Sequence, residues 1–197
     1  MKALLLSGGI DSTALAYWLR PDVALTINYG QVVADAECAA AKTIASNLNI
    51  RHETVKVDCA LIAAGQMAGK ASSKLSNAPE WWPYRNQLLI TIAAAYLSER
   101  GLRELFIGSV SSDKIHHDGR PTFIRRMSRL LECQEGNVRV SAPAIRMTSA
   151  KLLKSTGVPE SLLGWTFSCH LSQYPCGQCR GCIKRTAVLT EASDQKL

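Results

Sequence analysis

The stretch Ser7–Gly8–Gly9–Ile10–Asp11–Ser12–Thr13 puts two glycines, one acid and three hydroxyls directly behind the apolar run Ala3–Leu6. Glycine lets the backbone bend sharply and come close to a ligand. Ser12 and Thr13 then fall in the first turn of the following helix, where free N–H groups and the helix dipole favour an anion. Such a turn suits phosphate. Asp11 makes electrostatic sense there when a divalent cation bridges it to the anion, so a cation such as Mg2+ is expected with the phosphate. Neither G-x-x-x-x-G-K-[ST] nor G-x-G-x-x-G is present, and no lysine follows the glycines.

A second chemical cluster lies near the other end. Cys169, Cys176, Cys179 and Cys182 are spaced C-x6-C-x2-C-x2-C, with Gly177 and Gly181 between them to let the chain fold around an ion. Four thiolates suit a closed tetrahedral metal site, which leaves no open position for catalysis and so implies a structural role. Zinc is the first choice. An iron–sulfur cluster is the alternative, although in ferredoxin runs the fourth cysteine lies downstream and precedes a proline. His170 reads as a loop residue. The other three cysteines, Cys38, Cys59 and Cys133, read as small buried hydrophobes.

The elements that must position these residues alternate. Strands are expected at Lys2–Leu6, Val23–Gly30, Arg51–Asp58, Glu104–Val110 and Val138–Pro143. Helices are expected at Ile10–Leu19, with Trp18 on its inner face, Asp35–Leu48, Asn86–Glu99, Pro121–Leu131 and from Thr148, a plausible N-cap, to Lys154. In the helix from Pro121, Phe123, Met127, Leu130 and Leu131 face inward and Arg125, Arg126 and Arg129 outward. Between Ala63 and Pro83 the pattern lapses into small, polar and turn-forming residues, the signature of a long loop or mobile lid. Repeated strand–helix units imply an α/β fold: a five-stranded parallel Rossmann-like sheet with helices on both faces, ligands binding at the carboxyl ends of the strands. Residues 1–164 are expected to form the α/β domain that carries the glycine turn, and residues 165–197 a zinc-binding segment with a closing helix.

With 197 residues and 47% hydrophobic content the chain can bury a full core. It has no apolar run long enough for a membrane helix, and Ala3–Leu6 is too short for a secretory signal. An odd count of seven cysteines, without an export signal, argues against a disulfide scaffold and for a reducing compartment. A cytoplasmic protein is expected. The net charge is +7, and residues 120–155 hold eight basic residues against Glu132 and Glu135. That window implies an acidic partner: a nucleotide, a nucleic acid or an acidic protein face.

S-G-G-x-D-S directly after a first strand resembles the PP-loop of ATP pyrophosphatases, which split ATP into AMP and pyrophosphate while adenylating a substrate. Together with the cysteine knot it resembles the 7-cyano-7-deazaguanine synthase family. "NYGQ" (Asn28–Gln31), "PYRNQLLITIAAAY" (Pro83–Tyr96) and "SCHLSQYPCGQCRGCIKR" extend the likeness over most of the chain. The resemblance implies ATP-dependent activation of the carboxylate of 7-carboxy-7-deazaguanine, attack by ammonia to give amide and nitrile, zinc binding and a homodimer. By the same resemblance Ser7, Gly8, Gly9, Ile10, Asp11 and Ser12 serve the ATP phosphates and metal. Arg85, Asn86, Gly108 and Asp113 serve the nucleotide or substrate pocket, and Tyr29 and Gln31 border the adenine or the substrate. Asp11, Ser12 and Arg85 are the expected catalytic residues.

The chain departs from the family around the deazaguanine. Where the family has an aspartate-phenylalanine-serine-glycine-tyrosine-proline-aspartate stretch, this chain reads "SDKIHHDGRP" (Ser112–Pro121). Asp113 matches the first aspartate, Asp118 stands for the second, and Lys114, Ile115, His116 and His117 replace the positions between. The family's histidine after the NYGQ-type glutamine is Val33, and Glu37 matches its glutamate only approximately. Three further readings therefore stay open. A divergent relative, as in antiphage defence, would pass the deazaguanine acyl group to an amine of a partner protein. A tRNA-modifying PP-loop enzyme would hold RNA on the basic face, although nucleic acid is not the expected partner. A zinc-ribbon binding module on an inactive nucleotide fold is disfavoured by the intact Asp11.

Overall fold

In a computed structural model of the chain, residues 1–113 and 115–193 are described. Five strands form a single sheet: β1 (Lys2–Leu5), β2 (Val23–Asn28), β3 (Arg51–Lys56), β4 (Glu104–Phe106) and β5 (Arg139–Ser141). The order is β3-β2-β1-β4-β5, and every pairing is parallel. Being covered on both faces, the central strands are continuous apolar runs, and in β2 Val23–Ile27 are all buried. Successive side chains feed opposite layers. Leu4 and Leu6 pack with α1 (Ile10–Leu19), α2 (Ala34–Asn47) and α5 (Ser149–Thr156). Leu25 and Ile27 pack with α3 (Arg85–Leu97) and α4 (Pro121–Glu132).

Helix ends follow local chemistry. Thr148 caps α5 by accepting from the Lys151 amide at 3.2 Å, and Gly157 closes it at φ 65°. Pro121 opens α4 at the position where a missing N–H costs nothing. Two helices were not visible as periodic patterns or only in outline: the short α6 (Glu160–Leu163) and the longer α7 (Arg180–Ser193), the latter starting inside the cysteine segment. Val188 of α7 lies in the same core as α1 and α5.

Several side chains sit differently from expectation. Cys38 and Cys59 are only partly buried and Cys133 is exposed, because the helix and loop positions they occupy fall at the rim of the layers. Trp18 and Leu130 are about half exposed, at 46% and 50%: core positions nearby are taken by Leu15 and Leu131. The Ala63–Pro83 stretch is not a free lid. Its two large buried apolar side chains are Met67 and Trp82, and Trp82 packs edge-on against Tyr29 at 4.8 Å. Isolated anchors carry no period, so the sequence pattern reads as loop.

No helix among the described residues is long and apolar enough to cross a membrane.

Candidate active site

The chain passes from β3 on one side of β1 to β4 on the other, so the sheet has its switch point between the carboxyl ends of β1 and β4. A cavity of about 480 Å³ opens there, within the usual range for a small-molecule site.

The glycine turn forms its floor. Gly8 has φ 77°, and a Cβ on it would lie 2.8 Å from Ala40 Cβ, so the turn is pressed against α2 and tolerates no side chain. Gly108, just past β4, lies against the other side: a Cβ there would meet the Ser12 amide at 3.3 Å. Gly9 caps α1 without any side-chain bond, which leaves first-turn N–H groups facing the cavity. Ser7 and Ser12 bring their hydroxyls within 3.3 Å of each other at this helix end.

Asp11 sits in that first turn. Its Oδ2 accepts from Lys184 Nζ at 2.9 Å, whereas Oδ1 is buried with no hydrogen-bond partner among the described residues. Burial raises the Asp11 pKa, and the Lys184 ammonium opposes that rise. Lys184 also donates to Asp113 Oδ1 at 2.7 Å. Burial works against its charge, but the two carboxylates outweigh it and hold the Lys184 pKa above the ordinary value. An orphaned carboxylate oxygen in the cavity that Ser7 and Ser12 also line, at an anion-binding helix end, fits a hard cation such as Mg2+.

A second group of side chains forms the far wall. Glu37 projects from α2 and is pushed by burial up to about 7, with the Gln31 amide and the Arg85 charge pulling the other way. Gln31 is itself buried and does not line the cavity. It donates to Glu37 Oε2 at 2.8 Å and accepts from the Tyr29 amide at 2.9 Å, so it acts as a brace for both. Arg85 lies at the start of α3 among Tyr29, Asp118, Glu37 and Glu80. Asn86 holds the 3-10 turn His117–Gly119 in place, donating its amide to Asp118 Oδ2 at 3.2 Å and its Nδ2 to Asp118 O at 3.0 Å. Asp118 is thereby a tertiary cap for α3. Glu80, 4% exposed, bonds Arg180 at 2.9 Å and His116 at 3.4 Å; burial opposes its ionisation, but these partners hold it down at about 2.

The four cysteines converge. Their sulfurs all lie within 4.8 Å of one another, with Cys169–Cys179 at 3.9 Å and Cys176–Cys182 at 4.0 Å. A tetrahedron of thiolates about 2.3 Å from one zinc has edges of about 3.8 Å, so the spacing fits. Backbone amides of His170, Cys179 and Cys182 point at the sulfurs at 3.4 Å, as thiolate ligands require. His170 does not reach the cluster; it packs on Gly181 at the cavity edge.

The knot is not a separate lobe. The Phe167 amide donates to Gly8 O at 2.9 Å, and Gln173 bridges Ala36 N and Val32 O at 2.9 and 2.7 Å. Phe167 and three of the cysteines share an apolar cluster with Val33. From this seat α7 sends Arg180, Lys184 and Arg185 to the cavity wall. Of the residues expected from sequence, Ser7, Gly9, Ile10, Asp11, Ser12, Tyr29, Arg85, Asn86, Gly108 and Asp113 line the cavity, and Gly8 and Gln31 lie behind it. Lys114 lies outside the described residues. Lys184, Arg180 and Glu80 were missed. The available signal was the four-residue spacing of Arg180 and Lys184, which puts both on one helix face.

The family model described as "Queuosine biosynthesis protein QueC" matches residues 2–193. The chain belongs to the QueC family. Among curated proteins it is 36% identical to a protein named 7-cyano-7-deazaguanine synthase 1 from Sulfurisphaera tokodaii, across 99% of this chain and 96% of the relative. It is 33% identical to the 7-cyano-7-deazaguanine synthase of Archaeoglobus fulgidus, across 94% of this chain and 84% of the relative. The NMN synthetase of Francisella tularensis shares the fold, with a TM-score of 0.55 at 19% identity, covering 91% of this chain and 69% of that one. Membership in QueC and the parallel-sheet architecture thus agree with the resemblance drawn from the motifs.

Proposed function

We propose that this QueC-family protein adenylates the carboxylate of 7-carboxy-7-deazaguanine with ATP and passes the acyl group to ammonia, giving 7-cyano-7-deazaguanine. The observation that carries the reading is the opposition of Asp11 and Lys184 across an uncapped helix start, in the switch-point cavity of a chain with relatives named for that synthase. A carboxylate is a poor electrophile. Its oxygen attacks the α-phosphorus, the bond to the bridging oxygen breaks, and pyrophosphate leaves with the electron pair. Ammonia then attacks the acyl carbon and AMP departs. An amide oxygen is no better a leaving group, so dehydration to the nitrile needs the same activation by ATP again.

In this reading the enzyme contributes position and charge rather than a covalent intermediate. The α1 amides, Ser7 and Ser12 hold the phosphates. Asp11 and the two hydroxyls hold Mg2+, which when bound neutralises phosphate charge. Arg85, beside Glu37 and Tyr29, orients the deazaguanine acid, and Asn86 fixes the turn that closes that side. Zinc on the four thiolates fixes the C-terminal segment.

The test is incubation of the purified protein with ATP, the acid and ammonium, with nitrile read by mass spectrometry and pyrophosphate by a coupled assay. Nitrile with pyrophosphate is expected. Pyrophosphate without nitrile would assign the acyl group to a different acceptor, such as an amine of a partner protein. Absence of pyrophosphate with this acid would defeat the proposal.

A further inference from the structure

The glycine turn carries an acid and no lysine, although ATP brings about four negative charges to it. Lys184 stands where the turn's own cation is missing. It reaches Asp11 Oδ2 at 2.9 Å from 173 residues away, and it also touches Asp113, the residue that follows Ser112 in the loop after β4. We infer that Lys184 is the triphosphate-binding cation of this site and that the cysteine knot exists to deliver it. The inference rests on the ATP-dependent reading above.

Three features support it. First, Lys184 lies on α7 only two residues beyond the ligand Cys182, so an ion gripped by the four sulfurs fixes the helix that carries it. Second, α7 is seated without slack. A Cβ on Gly181 would lie 1.8 Å from Ser168 O, and Ser168 lines the cavity beside the glycine turn. Arg185 adds bonds to Thr166 Oγ1 at 2.9 Å and Leu163 O at 3.2 Å, which fix the helix rotation. Third, the neighbouring cation on the same helix face is already committed: Arg180 pairs with the buried Glu80. Among the described residues Lys184 bonds two carboxylates, Asp11 and Asp113, both of which line the cavity. An ammonium between two acids at an anion-binding helix end is pre-placed for a polyphosphate: the acids hold it in position before the nucleotide enters.

The decisive comparison is Lys184→Met against wild type and Lys184→Arg. Binding of inorganic pyrophosphate and of ATP with Mg2+ is measured by calorimetry, and acid-dependent ATP–pyrophosphate exchange by isotope. Loss of one charge-assisted contact is expected to weaken pyrophosphate binding by about 10- to 100-fold, and loss of a transition-state cation to slow exchange by about 100-fold or more. Bound zinc should stay at one per chain, and Lys184→Arg should recover part of both. If Lys184→Met binds pyrophosphate and exchanges as wild type does, Lys184 is a structural ion pair and the inference falls. If wild type itself binds nucleotide but never exchanges with the deazaguanine acid, the substrate assignment fails while the binding comparison still decides Lys184. If wild type binds neither ATP nor pyrophosphate, both are overturned.

Discussion

Gly181→Ala tests the coupling between the metal knot and the cavity with one methyl group. The added Cβ would sit 1.8 Å from Ser168 O and 2.7 Å from His170 Nε2, whereas ordinary contact begins at 3.4 Å. The imidazole can turn aside, but the carbonyl belongs to the backbone, so the first turn of α7 must back away by roughly 1.6 Å. Overpacking of this kind costs about 1–3 kcal/mol. For a chain of this size each kcal/mol lowers the melting temperature by about 2–4 °C, so a drop of about 2–12 °C is expected. The same displacement carries Lys184, one turn further on, out of reach of bonds that now measure 2.9 and 2.7 Å. A misplacement of about 1 Å costs on the order of 100-fold in rate, which sets the expected fall in pyrophosphate release. Gly157→Ala is the control. Gly157 closes α5 at φ 65° with nothing within 4 Å of the new Cβ, so it should lose about 1–2 kcal/mol through backbone strain alone and keep its turnover. The assay is a scanning calorimetry melt paired with coupled pyrophosphate detection at saturating ATP. A Gly181→Ala protein that melts within 1 °C of wild type and keeps its rate would show that α7 has room to move, and the reasoning would fail.

Asp11→Asn removes the charge whose Oδ1 is buried with no hydrogen-bond partner among the described residues. Pyrophosphate release should fall below detection while the melting temperature stays within a few degrees, since burial already penalises the charge; near-normal turnover would refute the cation role. Cys179→Ser breaks the four-sulfur site and two backbone bonds to its sulfur. It should lose bound zinc by elemental analysis and lose stability together, and a metal-free variant of wild-type stability would contradict this. Glu37 supplies a pH signature. Its pKa is raised in the folded protein to about 7 from 4.5, so the native state holds the extra proton across that window. Its stabilising contribution is full below pH 4.5 and is lost as pH rises through 7. Glu37→Gln should flatten the decline in denaturant midpoint between those limits, and an unchanged slope would mean that Glu37 is ionised there.

The alternation of strands and helices was legible because the longer helices show their period and the strands sit in apolar or alternating runs, and all five strands fall within the expected segments, although β4 and β5 are only three residues long. What stayed hidden has physical causes. Four-residue α6 is shorter than two turns, so no period exists to read. The Ala63–Pro83 stretch packs through a few buried residues, Met67, Ala78, Glu80 and Trp82, the last three alternating over too short a run to stand out from the turn-forming residues around them. The cavity residues Gly9, Asp11 and Ser12 were legible because their neighbours in sequence are also their neighbours in space. Lys184 was not, since its partner lies 173 residues away.

That last miss changes what the knot is for. A closed four-thiolate site was expected to add stability and nothing else. Its position says more: Phe167 bonds the glycine turn, Gln173 bonds the start of α2, and α7 leaves the knot straight along the cavity wall. The segment therefore touches the phosphate turn through its backbone and the Asp11 carboxylate through Lys184 at once. A helix of fourteen residues starting among glycines and cysteines has little propensity to dock with sub-ångström accuracy by itself. Binding an ion to side chains on that helix and on the loop before it removes the freedom that would blur Lys184. Chelation should then weaken pyrophosphate binding before the sheet unfolds, the order of events that separates a positioning knot from a merely stabilising one.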